Sequence, residues 1–177
     1  MLTSNSNAFP ILTTTRLILK PLALSDAAAI FALRSNDEVN RFIGRKKAEN
    51  LQDAHDFILK IQQNVADNTS FYWGIHTKEI AELIGTICLW NLERDKGITE
   101  IGYELMPDYQ GKGFAQEALR AVIDYSFQIG FTTITAYLNA ENAPSIKLLE
   151  RNHFKKQGIV EAHNELIYTL THSSENY

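Results

Sequence analysis

Two glycines set two apart, Gly111 and Gly113, stand between a segment stopped by Pro107 and an amphipathic run over residues 111–129. A strand that ends at a proline, a short loop and an immediate helix start turn several backbone N–H groups outward at the positive end of a helix dipole. The chemistry open to such a turn is anion binding. Glycine at both positions lets the backbone approach phosphate oxygens with no side chain in the way, and Ala115 is small in the same sense. A tight turn before an ordinary helix explains the same residues, so the two glycines alone leave both readings open. A Walker loop is excluded, because no GxxxxGK[ST] occurs. A dinucleotide fingerprint is excluded too, because Gln116 stands where its third glycine would be.

A second polar group lies further on. Asn142, ahead of Pro144 and Ser145, reads as a helix N-cap whose side chain meets the Ser145 N–H. Ser145 sits in the first turn of that helix. The five histidines (His55, His76, His153, His163, His172) show no HxxxH spacing, and no CxxC occurs, so no metal site is expected. The single cysteine, Cys88, allows no internal disulfide and reads as a small buried hydrophobe in the apolar stretch 83–92.

The elements that must position these groups follow from periodicity. Residues 16–22 alternate and read as a strand, with Ser25 and Asp26 as caps for a helix to about residue 34. Apolar Ala54, Phe57, Ile58, Ile61 and Val65 share a helical face over residues 51–68. Strands are read at 71–76, 83–91 and 98–106. The helix over 111–129 has Phe114, Ala118, Ala121, Val122, Tyr125 and Ile129 on one face and stops at Gly130. A strand at 132–139, expected to be buried on both faces, precedes a short helix at 144–152 and two closing strands at about 154–160 and 165–171. The order β α α β β β α β α β β defines an α+β domain on a mixed sheet.

Length and composition are those of one domain, residues 1–177, with a core over about 13–171 and frayed ends at 1–12 and 173–177. Hydrophobic residues make up 45% and the net charge is −4. That balance speaks against nucleic acid as a partner. No run of about 18 apolar residues spans a membrane, and no secretion signal opens the chain. A cytoplasmic location is the expectation.

The segment Gln110-Gly-Lys-Gly113-Phe-Ala115 matches a known signature, Q/R-x-x-G-x-G/A, and the chain thereby resembles the GCN5-related N-acetyltransferase (GNAT) superfamily. More narrowly it resembles the ribosomal-protein N-acetyltransferase (RimJ/RimL) group. The opening residues 15–22 with Ser25-Asp26, the stretch Glu100-Ile-Gly-Tyr103, and the helix running from Asn142 through Ser145 to Phe154 all carry that resemblance. His153 takes the place of the usual glycine before Phe154, a change confined to a turn.

The resemblance implies a GNAT fold, with a mostly antiparallel sheet in which one strand pair splays apart. It implies acetyl-CoA as cosubstrate, its pyrophosphate held by the backbone of Gln110, Gly111, Lys112, Gly113, Phe114, Ala115 and Gln116. The pantetheine arm would lie in the splay, against main chain near Tyr103 and Leu105 and the side chain of Asn142. A bulge near residues 102–104 would free the backbone for it. Lys112, Lys147 and Arg151 are candidates for the adenosine phosphates.

Direct transfer to a neutral amine needs no enzyme nucleophile but leaves two proton tasks. Glu100 is the implied base and Ser145 the hydroxyl beside the leaving sulfur, with Tyr103 as a contact to the acyl region. Glu104 shares the parity of Glu100, but the expected bulge would separate them. The acceptor, a protein N-terminal amine or a small amine, would meet a rim at residues 36–44. Trp73 and Trp90 are candidates to line the acceptor side, although core is the expectation for each. A homodimer is expected by analogy with the group. The alternative function is a non-catalytic acyl-CoA sensor or assembly module on the same fold.

Overall fold

The computed structural model describes residues 8–172. Eight strands form one sheet, ordered β1-β2-β3-β4-β5-β6-β8-β7. They are β1 (Leu12–Thr13), β2 (Leu17–Lys20), β3 (Phe71–Thr77), β4 (Leu83–Glu93), β5 (Ile98–Leu105), β6 (Thr133–Asn139), β7 (Lys155–Val160) and β8 (Glu165–Thr171). The helices are α1 (Ala27–Ser35), α2 (Asp37–Asn40), α3 (Leu51–Ala66), α4 (Phe114–Gln128) and α5 (Ala143–Arg151). Only the β5–β6 pair is parallel. The architecture is the expected α+β one. The two-residue β1 and the one-turn α2 are additions, both too short to leave a periodic signal in the sequence.

Side-chain periodicity sorts the two layers. In α3, Ala54, Ile58 and Ile61 are buried, and Asn50 caps the helix by accepting from the Asp53 N–H at 3.0 Å. With Ala27 and Ile30 of α1 they form a cluster over one face of the sheet, around Leu22 and Leu83. On the other face Ala118, Leu119 and Val122 of α4 and Leu149 of α5 pack against Leu19, Ile87, Ile101, Ile134 and Leu138.

Several expectations are corrected. The fraying expected over residues 8–12 is not found: Phe9 packs against Phe71 and Trp73, and the Pro10 carbonyl accepts from Trp73 Nε1 at 2.8 Å. The expected frayed residues 1–7 and 173–177 lie outside the described residues. Asp26 does not cap α1. It lies in a 3₁₀ turn with helical backbone angles, so its carboxylate turns back to the Ala23 N–H at 2.8 Å and to His76 at 3.2 Å.

Strand β6 is buried on one face only. Ile134, Ala136 and Leu138 are inside, but Tyr137 is 44% exposed. The helices of that face, α1 and α3, pack over β3 and β4. The bulge expected near residues 102–104 is absent, since β4 and β5 keep register from Trp90↔Glu100 to Gly85↔Leu105. The irregularity lies instead between Trp90 and Glu93, at the far end of the pair.

Candidate active site

The splay arises on the other edge of β5. Pairing with β6 runs only over Ile98↔Thr133, Thr99↔Ile134 and Glu100↔Thr135. Beyond Glu100 the strands part, so the edges of 101–105 and 136–139 that face each other carry unpaired main-chain groups. No bulge is needed to free them. The gap is a cleft of about 630 Å³, lined among others by Glu100, Tyr103, Asn142 and Ser145. Four residues from two elements, β5 and the capped start of α5, thus meet in one place.

Alternation assigns the lining to two faces, because directly opposed strand residues share a face. Glu100, Gly102 and Glu104 of β5 stand beside Trp90, Cys88 and Thr86 of β4. Tyr137 and Asn139 of β6 and Glu165 of β8 continue that face. Tyr103 lies on the opposite face, where its phenol neighbours the Ser145 side chain. The cleft therefore opens through the sheet, with Glu100 on one side and the Tyr103–Ser145 pair on the other.

The titrating groups are set by their surroundings. Burial, and then the charge of Glu165, push the Glu100 carboxyl up to about 7 against a hydrogen bond with Asn91. Burial pushes the Tyr103 phenol up to about 12, opposed by the neighbouring Ser145 hydroxyl. Cys88 is pushed up to about 12, first by burial and next by the Glu104 charge. Asn142 caps α5 as expected, with its side-chain oxygen 3.3 Å from the Ser145 nitrogen.

The glycine loop lies beyond the end of β5. Gly111 and Gly113 have φ of +71° and +83°, left-handed values that favour glycine. Helix α4 starts at Phe114, three residues later than periodicity suggests, because Gly113 cannot be helical at that φ. Its first backbone bond runs from the Glu117 N–H to the Gly113 carbonyl, which leaves the preceding N–H groups without helical partners. A Cβ at Gly111 would meet nothing within 4 Å, so the loop is open to an approaching group.

The side chains around the loop hold it rather than extend it. Gln110 Nε2 donates to the Leu105 carbonyl at 2.9 Å. Gln116 exchanges hydrogen bonds of 2.8 Å with Asn152. Phe114 packs on Tyr109 under the Arg16 guanidinium. Lys112 gives its carbonyl to Arg16 Nη1 at 3.0 Å. Loop and free strand edges together fit a long, pyrophosphate-bearing thioester such as acetyl-CoA: an anion site at one end and hydrogen-bonding main chain along the rest.

Sequence reasoning missed several participants. Arg16 braces the loop through Glu117 at 2.7 Å, and its signal was only an ordinary strand-start arginine. Burial pushes the Glu117 carboxyl up, but bonds from Thr14 and Arg16 outweigh it and hold it below its usual range. Of the two tryptophans, Trp90 takes the cleft-lining alternative, 48% exposed there, while Trp73 is fully buried as expected. Glu165, Arg45 and Tyr137 also line the cleft. They come from segments with no motif of their own.

A fold with one splayed pair in a mixed sheet, an anion loop at a helix start and a carboxylate at the fork define an acyl-CoA-dependent transferase. The family model of the acetyltransferase (GNAT) domain matches residues 16–155, and the chain belongs to that family. The uncharacterized N-acetyltransferase YoaA of Bacillus subtilis is 38% identical over 153 residues, 86% of each chain. RimL, the ribosomal L7/L12 α-N-protein acetyltransferase solved with coenzyme A, superposes with a TM-score of 0.83 at 17% identity, covering 92% of this chain and 98% of its own. RimJ of Mycobacterium smegmatis, in complex with CoA-disulfide, gives 0.83 at 18% identity, covering 95% and 90%. The fold is thus that of the RimJ/RimL group, as the motifs implied. The protein is an acetyl-CoA-dependent N-acetyltransferase. Among the described residues no helix is long and apolar enough to cross a membrane, and no cluster could hold a metal.

Proposed function

We propose that the enzyme transfers acetyl to a primary amine, a protein N-terminus or a small molecule, that reaches the cleft from the Glu100 face while the donor lies on the Tyr103–Ser145 side. The observation that carries this reading is the through-sheet cleft, which sets Glu100 and the Tyr103–Ser145 pair on opposite faces of one gap. Acetyl-CoA, when bound, supplies the activated acyl group.

The chain's residues divide the remaining work. Backbone N–H groups of Gly111, Lys112, Gly113, Phe114, Ala115 and Gln116 would hold the pyrophosphate, while the Gln110 N–H, bonded to the Pro107 carbonyl at 3.1 Å, anchors the loop. Free main chain near Tyr103 and Leu105, with Asn142, would hold the pantetheine arm. Glu100, ionised for part of its population near neutral pH, takes the proton of the arriving ammonium, directly or through water. Ser145, beside Tyr103 in the cleft, would donate a hydrogen bond that stabilises the departing thiolate. Residues 1–177 act as one catalytic domain. A homodimer, by analogy with the group, and a cytoplasmic location belong to the same reading, and light scattering and cell fractionation test them.

The experiment is calorimetric titration with acetyl-CoA, followed by thiol release with pooled peptides and amines. Binding with release supports the reading, and the active pool names the acceptor class. Binding without release from any pool favours an acyl-CoA sensor. No binding at all refutes the loop assignment.

A further inference from the structure

The face of the cleft that carries Glu100 is not uniform in charge. At the fork, Glu100 and Glu165 line it, and among the described residues neither makes an ion pair. At the other end of β5 the third carboxylate does. Glu104 Oε2 lies 2.7 Å from Arg45 Nη2, with the two side chains 8% and 18% exposed. Arg45 Nη2 makes no aligned hydrogen bond, so the contact is chiefly one of charge.

Both partners are fixed from behind. Arg45 Nε donates to Asn40 Oδ1 at 2.7 Å. Asn40 in turn donates to the Arg34 and Asn36 carbonyls at 3.1 and 2.6 Å. On the strand side Tyr72 donates to Thr86 at 3.1 Å, and Thr86 to Glu104 Oε1 at 3.4 Å. Arg34 adds a second cation nearby. It stacks on Phe57 at 3.8 Å, and burial together with the Arg45 charge holds it below the usual arginine range. Two guanidiniums against one carboxylate leave this end cationic on balance. The apolar part of the lining includes Phe42, Ile43, Trp90 and Tyr137.

We propose that Arg45 is a specificity-determining residue: by cancelling Glu104 it makes this face a site for one ammonium group on an apolar body, closed to diamines and polyamines. The inference rests on the reading of the Glu100 face as the acceptor side. An ammonium held at Glu100 has its counter-charge there. A second ammonium reaching the Glu104 end would meet Arg45, with the charge of Arg34 behind it and the Glu104 carboxylate already paired. Specificity of this kind is set by a repulsive element as much as by an attractive one. A salt bridge kept only for stability would have no bearing on which amine binds.

The test uses hexylamine and hexane-1,6-diamine, equal in chain length and different by one charge. Each is titrated calorimetrically into the full chain saturated with coenzyme A. The wild type should bind the monoamine at least about ten-fold more tightly, the scale of one unpaired charge contact. Arg45→Met leaves Glu104 without its cation and should erase about ten-fold of that preference through tighter diamine binding. The double variant Arg45→Met/Glu104→Gln removes both charges and should restore the preference. Arg45→Lys, which keeps the charge without the Asn40 bond, should keep it, and it serves where Arg45→Met fails to fold.

A purely structural role predicts the opposite for the double variant, which would then be as impaired as Arg45→Met. Equal binding of the two amines by the wild type overturns the proposal. So does an unmoved preference in Arg45→Met, or a double variant that behaves like it. Coenzyme A binding with neither amine bound also overturns it, while leaving the donor half of the proposed function standing. Failure of coenzyme A to bind overturns both.

Discussion

A carboxyl held near neutrality can lose its proton in the working range, and Glu100 is raised to about 7 by burial and by Glu165. A base acts only when ionised, so kcat/KM should fall as pH drops through about 7. Glu100→Gln should remove that limb and lower kcat by about 10²-fold or more, with acetyl-CoA affinity unchanged; a pH–rate profile of both proteins checks it. The same shift bears on stability. Between pH 4.5 and about 7 the folded protein holds a proton that the unfolded chain has lost. Stability is therefore lost as pH rises through that window, and the loss is complete above about 7. Glu100 is only half buried, so solvent screening cuts the effect to the order of 1 kcal/mol. Denaturant unfolding should find Glu100→Gln more stable than wild type at pH 8 and no different at pH 4. Ser145 offers a second separation. Its backbone N–H is capped by Asn142, while its side chain lines the cleft beside Tyr103. Ser145→Ala should lower kcat about ten- to a hundred-fold and leave the acetyl-CoA Kd nearly unmoved. Retained turnover would reduce Ser145 to a place in the helix.

Among the elements, the glycine loop and α4 make one working part. Gly113→Glu should abolish coenzyme A binding, because it sets a carboxylate where phosphate is expected and forces a side chain onto φ +83° beside Arg16. Backbone strain alone costs about 1 kcal/mol. Gly130→Ala is the control: its φ is +100°, with nothing within 4 Å of the added carbon. That variant should lose similar stability and bind coenzyme A normally in the same titration. The loop shows which features a sequence can carry. Its glycines, the Pro107 stop and the Asn142 cap are local, and each was legible because its reason lies within a few residues. Strand β6 was misread as doubly buried because coverage depends on where α1 and α3 stop, which is a tertiary fact. The splay was attributed to a bulge in β5, whereas it comes from β6 leaving after three paired residues. Arg16, Arg45 and Glu165 went unseen for a related reason. Each acts across long sequence separations, and a lone charged residue on a strand or loop carries no periodic or motif signal.

At the scale of the whole molecule the cleft decides the kinetic order. An opening through the sheet lets donor and acceptor meet from opposite faces, so both must be bound when acetyl moves. A chain with no covalent relay has no need of a nucleophile, and the only cysteine is unsuited to be one. Cys88 does line the cleft, on the Glu100 face. Its thiol is nevertheless pushed up to about 12 by burial and by the Glu104 charge, so almost none is thiolate at neutral pH. Initial rates measured against both substrates should therefore give intersecting double-reciprocal lines, the mark of a ternary complex, and not the parallel lines of a ping-pong enzyme. Cys88→Ala should keep kcat within about three-fold of wild type, since it trims one small apolar group beside the reacting atoms. Parallel lines together with an inactive Cys88→Ala would assign the cysteine a covalent role. The through-sheet geometry would then describe two successive visits to one pocket, and not one meeting within it.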